Sequence, residues 1–277
     1  SNNHYPKTSN PIAFMAVPTK TNLAFQNEDF YVNIAGYGKN KDWVSIIKKT
    51  ANRAVLAIKD GKSSDEILCG IAKGTKQANG FCTDIQKRQH TSIPRAERKG
   101  YGKTGEWKGI ELITPISGKY TVYTNKLKKL NKHPLKSPYQ DIDVATVETG
   151  NFIDYDMRII HPSDTLVNNA LDRVGGKYFN LKKDYITHPE NITEENLPNI
   201  NADIAEIRWI MAQSMPWERG SDAISNVFTR SLYKSMGIKS YPLKKGVSLD
   251  FEAFCTPLET YKKNFTSYFE QAPEIIK

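Results

Sequence analysis

The chain has 277 residues, 39% hydrophobic and 25% charged, which is enough to bury a sizeable core and excludes a disordered or fibrous chain. No apolar run approaches the length needed to cross a bilayer and no signal-peptide pattern opens the sequence, so a soluble protein without a transmembrane segment is expected. A net charge of +9 points to an acidic partner: nucleic acid, phospholipid headgroups, a nucleotide or an acidic protein surface.

Residues 1–10 read as an extended arm, and Ser1-Asn2 as a cloning remnant, which leaves a native start or targeting segment undecided. A short strand is expected at 12–17, a strand or hairpin at 24–34, and a turn at Gly36-Tyr37-Gly38-Lys39-Asn40. From Asp42, Trp43, Ile46, Ile47, Ala51, Ala54, Val55 and Ile58 keep helical spacing up to Asp60-Gly61. Ser63-Ser64-Asp65 then caps a second helix ending near Asn79-Gly80, and the short connection makes the two an antiparallel pair. Residues 81–101 are polar and basic. Residues 110–113 and 120–123 read as the strands of a β-hairpin.

Residues 124–141, rich in lysine and proline, read as a basic connector between an N-terminal lobe (11–123) and a C-terminal helical lobe (142–277). Beyond it, 144–160 is ambiguous between strand and loop. Leu166, Val167, Ala170, Leu171 and Val174 predict a helix that ends at Gly175-Gly176, followed by a polar loop over 178–198.

Asn201 to Gly237 is the most strongly patterned stretch. Ile204, Ile207, Ile210 and Met211 line one helix, with Trp209 and Ala212 making its flank apolar too. Pro216 stops it, Gly220 frees the turn, and Ser221 has the side chain of an N-cap for a second helix carrying Ile224, Val227, Phe228 and Leu232. Gly237 closes that helix. Ser248 or Asp250 then caps an aromatic tail expected to pack back on the hairpin.

The turn is the leading candidate site. A helix starting at Ser221 presents unpaired amides and a positive dipole end, and Arg219 beside Gly220 can add a bidentate contact to a phosphate or carboxylate. Trp217 and Arg208, on the turn and the first helix, complete the expected ligand-binding set with Arg219, Gly220 and Ser221. The same residues also fit a turn that only reverses the chain, with Arg219 paired to Glu218 or Asp222. For catalysis the candidates are His161, as a general base or acid, and Glu148, as a carboxylate near Asp154 and Asp156. His161 precedes proline in a loop-like stretch, which also fits a surface position, and the acidic residues also fit a solvated face. The histidines lack metal-site spacing, and no metal site is predicted. Cys69, Cys82 and Cys255 form neither a disulfide framework nor a zinc set, so a reducing compartment is expected.

A helix, then Met215-Pro216-Trp217-Glu218-Arg219-Gly220-Ser221, then a helix closed by Met236-Gly237-Ile238, resembles the central helix–loop–helix of the Fic (Fido-fold) family. Members of that family transfer nucleotide or phosphoryl groups to target proteins. Pro216, Trp217 and Gly220 match its proline, its aromatic position and the first glycine of its phosphate-binding turn. Met215, Arg219, Ser221 and Ala223 depart from its histidine, acid, asparagine and arginine. The resemblance implies a divergent relative with a rebuilt or absent active site, near to bacterial effectors that keep the scaffold without the motif. It implies residence in a bacterial cytoplasm or secretion into a host cell, with a host protein target.

Together these readings predict a mainly helical α+β fold, a single domain with a central helical hairpin and a small β-hairpin element. Two functions follow. One is an effector-type, transferase-like domain holding a phosphorylated or nucleotide ligand at a helix N-terminus. The other is a non-catalytic basic module for nucleic acid or an acidic membrane or protein surface.

Overall fold

The computed structural model describes residues 39–98, 112–116, 122–150 and 157–276. The expected strands at 12–17 and 24–34, residues 36–38 of the expected turn, and Asp154 and Asp156 lie outside them.

Helix α1 (Lys41–Lys59) begins at Asn40, whose side chain accepts from the amides of Asp42 and Trp43. Helix α2 (Ser64–Asn79) begins at Ser63, whose hydroxyl accepts from the Glu66 amide at 3.2 Å. They form the expected antiparallel pair. A short helix α3 (Ile85–His90) follows in the polar stretch.

The centre of the fold is α6 (Leu197–Ser214), on which α5 (Val167–Leu181), α7 (Ser221–Ser235), α8 (Leu249–Cys255) and α9 (Leu258–Asn264) all pack. Every residue from Ile204 to Ser214 is buried, so α6 is covered around its whole circumference. Its polar side chains are partnered, as burial requires. Gln213 accepts from the Ala145 amide at 2.9 Å and donates to the Ala253 carbonyl at 2.8 Å, and Trp209 donates to the Thr256 carbonyl at 2.9 Å. Helix α7 bridges α6 to the α1–α2 pair. The aromatic tail does pack back on the hairpin, divided at Pro257 into α8 and α9.

Three expectations are corrected. Of the expected hairpin of 110–113 with 120–123, residues 110, 111, 120 and 121 lie outside the described residues, and the rest is arranged otherwise. Strand β1 (Ile113–Pro115) pairs antiparallel with β3 (Met157–Ile160), which pairs with β2 (Thr146–Thr149), giving the order β1-β3-β2. Val122 and Tyr123 instead lead into a helix, α4 (Thr124–Lys132), which lies inside the stretch read as a connector. Helix α5 does not stop at Gly175-Gly176 but runs on to Leu181, and the following loop begins as a π turn over Lys182–Ile186. Two glycines cost a helix about 1 kcal/mol each against alanine. The burial of Tyr178 and Leu181 beyond them is worth more, at about 1.5–3 kcal/mol for each large side chain. Gly175 also meets α2 closely, since a Cβ there would lie 3.1 Å from Ser64 Oγ.

Candidate functional site

The turn between α6 and α7 is built by two pieces of chain. Helix α6 ends with Met215 in a left-handed conformation (φ +43°), one residue before Pro216. Residues 91–95 then run beside 216–219 and zip to them through backbone. The Ser92 amide donates to the Arg219 carbonyl, the Glu218 amide to the Ile93 carbonyl and the Arg95 amide to the Pro216 carbonyl, each at 2.9 Å. The Arg95 side chain is fully buried and donates to the carbonyls of Ser214 at 2.7 Å and Met215 at 3.1 Å. It therefore satisfies carbonyls that the end of α6 cannot bond internally. This strap had no sequence signature.

Gly220, at φ +93°, holds the N-cap position of α7, where a side chain would be strained. Ser221 is not the cap but the first helical residue. Its hydroxyl accepts from the Trp217 amide at 3.0 Å and reaches the Trp217 carbonyl at 3.1 Å, so it is spent on closing the turn. What α7 offers to a ligand is its first-turn backbone amides and its dipole.

These groups open on a cavity of about 180 Å³. Arg219, Gly220, Ser221 and Trp217 line it, and Trp43, Phe251 and Phe254 supply further aromatic wall. Asp222, Asn226 and Asp250 line it as well. All three converge on Arg208, which stands fully buried behind them. Arg208 donates to Asp250 Oδ1 at 2.6 Å, Asp222 Oδ1 at 2.7 Å and Asn226 Oδ1 at 2.9 Å. Burial works against the guanidinium charge, but Asp250 and then Asp222 outweigh it and Arg208 stays protonated. Burial holds the Asp250 carboxyl above the ordinary carboxylate range, with Arg208 pulling the other way. Two carboxylates facing one guanidinium leave that wall electron-rich. The cavity thus has a cationic end, at Arg219 and the α7 amides, and an accepting end at Asp222 and Asp250.

Asp222 goes to Arg208, and Glu218 Oε2 lies 3.1 Å from His90 Nδ1. His161 is not at the surface and does not line the cavity. It is fully buried, with Nδ1 donating to the Gln213 carbonyl at 3.3 Å, which leaves Nε2 to accept from Thr114 Oγ1 at 3.0 Å. Burial, with Arg95 nearby, pushes the imidazole down to about 3. It reaches the cavity only through Thr114 and Phe254, which line it and which the imidazole touches. Glu148 lies on β2, opposite Arg158 of β3, and binds that guanidinium at 3.0 Å with its side chain about half exposed. It does not line the cavity. Among the described residues no group of three or more His, Cys, Asp or Glu is placed to hold a metal ion.

The residues the sequence reading missed are Asn226, Asp250, Thr114 and the strap. Asp250 has the sequence look of a cap, and only the folded chain brings it to Arg208. Asp222 and Asn226 are one helical turn apart, a spacing that could have placed them on one face.

The family model AvrB_AvrC, described as an avirulence protein, matches residues 168–272. No curated protein matches the chain. The match spans most of α5 and the hairpin with its aromatic tail, and so holds Arg208, the 217–222 turn, Asn226 and Asp250. It does not reach Trp43, Thr114 or the strap. The avirulence match is consistent with an effector-type role and with a host target, and it does not establish the Fic resemblance. Among the described residues no helix is long and apolar enough to cross a membrane, and the match is compatible with delivery into host cells.

Proposed function

We propose that the chain is an effector-type, transferase-like domain that binds a phosphorylated or nucleotide ligand in the cavity at the mouth of α7. One observation carries this reading: the cationic and accepting ends face the same space of about 180 Å³. That space is many times what one water needs, room for a phosphate and part of what it is attached to. Phosphate oxygens would take the Arg219 guanidinium and the α7 amides. Hydroxyl donors on the same ligand would face Asp222 and Asp250, and Trp43 and Trp217 give a planar group apolar walls. A ligand carrying only negative charge gains nothing from the accepting end, so a phosphorylated sugar or nucleotide fits better than inorganic phosphate. In this reading Arg208 is a positioning residue that fixes both carboxylates, and His161 supports the wall through Thr114.

The test is calorimetric titration with ADP and with inorganic phosphate. ADP should bind more tightly, and Arg219→Ala should weaken it at least tenfold, since removing a charge-assisted hydrogen bond from a partly buried site costs about 2 kcal/mol. Arg219→Lys should recover only part, because lysine keeps the charge without the planar fork. Absence of ADP binding to the wild-type chain, or an Arg219→Ala variant that binds as well, would overturn the reading.

A further inference from the structure

Helix α4 carries lysines and no acidic residue. Its sequence places Lys126, Lys128, Lys129 and Lys132 within nine residues, with Lys136 just beyond, and no Asp or Glu occurs from Thr124 to Gln140. All five lysines are exposed, and none makes an ion pair with a described residue. Lys128 and Lys132 are four residues apart; Lys126 and Lys129, and Lys129 and Lys132, are three apart. Like charges at those spacings repel along a helix. The first turn carries Lys126 and no acid, against the helix dipole. The helix is held only by its inner side, where Leu127 is fully buried and Leu130 packs against the core. A surface this one-signed, without an ion pair to any described residue, is complementary to an acidic partner.

We infer that the outer face of α4 is a docking surface for an acidic segment of a partner protein. Three features select this partner over other polyanions. The positive groups are all lysines, compact charges without the bidentate fork that phosphate recognition favours. The helix is only about 13 Å long, and among the described residues no exposed aromatic ring stands beside the lysines to stack on a base. The leucines of α4 face the protein core, which leaves no apolar side to enter a lipid interface. The surface also adjoins the cavity wall. Tyr123, immediately before α4, accepts from the Ser248 amide at 2.9 Å, and Ser248 lines the cavity. The docking surface itself does not depend on what the cavity binds.

The experiment is fluorescence anisotropy of the full chain with a labelled peptide of about a dozen residues, rich in Glu and Ser. The peptide should bind at low salt and weaken at least about tenfold between about 50 and about 200 mM salt. The variant Lys126→Gln, Lys128→Gln, Lys129→Gln, Lys132→Gln should lose at least about tenfold in affinity while keeping its melting temperature, since these side chains are exposed. Lys41→Gln with Lys49→Gln, both exposed on α1, should bind as the wild type does. The inference fails if the wild type does not bind the peptide, or if the control variant loses as much as the α4 variant. It fails equally if vesicles containing phosphatidylserine, or a DNA duplex, bind α4 more tightly than the peptide.

Discussion

Arg95 donates from Nη1 to the carbonyl of Ser214 at 2.7 Å, joining residues 119 apart in sequence. Nη2 of the same guanidinium donates to the Pro162 carbonyl at 2.5 Å, so one buried cation ties the strap, the end of α6 and the segment after β3. Positive charge at a helix C-terminus is favourable in its own right.

The first prediction follows from that joint. Arg95→Met keeps much of the volume but leaves the Ser214, Met215 and Pro162 carbonyls buried without this donor, and each such loss costs about 1–3 kcal/mol. The variant should be destabilised by about 3 kcal/mol or more in denaturant unfolding. A loss under about 1 kcal/mol would mean that α6 ends stably without the strap.

A second prediction concerns acid. The His161 imidazole is held neutral in the fold, at about 3, by burial and then by Arg95. In the unfolded chain it titrates near 6.5. The unfolded state therefore binds the extra proton first as pH falls. The stability tied to the neutral ring is fully present above about pH 6.5 and is lost progressively towards pH 3. Carboxylates also titrate in that window, so the informative quantity is a difference. His161→Gln should be less stable than the wild type at neutral pH, and the gap should narrow as the buffer is taken down to about pH 4. A gap that stays constant would show that the imidazole is not held neutral.

The helical hairpin was legible because its pattern is local. Trp209 and Phe228 fall on apolar faces in the sequence and are fully buried in the fold, and Gly237 adopts the positive φ that its place after α7 suggests. The sheet was not legible because its pairing is not local: Ile113 meets Ile160, far along the chain, while the nearer 122–123 turns into a helix. Glycines 175 and 176 misled because a propensity of about 1 kcal/mol yields to packing on α2 and α6. At the site, Arg219 and Gly220 were visible because proline and glycine mark a turn. Arg208 was visible as a charge in an apolar helix, but its partner Asp250 belongs to a separate helix. Glu148 and His161 are the residue types of catalysis, placed by the fold in a cross-strand pair and behind the cavity wall.

The third prediction tests the turn. At Gly220 the backbone is left-handed, and a Cβ would meet Thr91 Cγ2 on the strap at 3.2 Å. Gly220→Ala should cost about 1–2 kcal/mol from backbone strain alone, with Thr91 pushed aside. ADP affinity should fall with it, since the strap and the α7 amides meet at this residue. A variant with unchanged melting temperature and affinity would show that the turn tolerates another shape.

The last prediction concerns a buried amine. Lys234, on α7, is 2% exposed, and its Nζ donates to Asn52 Oδ1 of α1 at 2.9 Å. Burial, then Arg230 and Lys59, push the amine down to about 6, whereas a lysine in the unfolded chain titrates near 10.5. Between those values the unfolded state holds a proton that the folded state has released. Stability from this group is therefore complete only above about pH 10.5 and is lost as pH falls towards about 6. For one whole proton the slope is about 1.4 kcal/mol per pH unit, an upper bound for a group that keeps some solvent contact. Lys234→Met removes the amine, and Asn52 is exposed enough for water to take its place. The variant should be more stable than the wild type at neutral pH, and its advantage should shrink as the pH is raised to about 9. Denaturant unfolding of both proteins across that range is the measurement. A Lys234→Met variant that is less stable at pH 7, with an unchanged pH slope, would show instead that the amine is charged and well held in the fold.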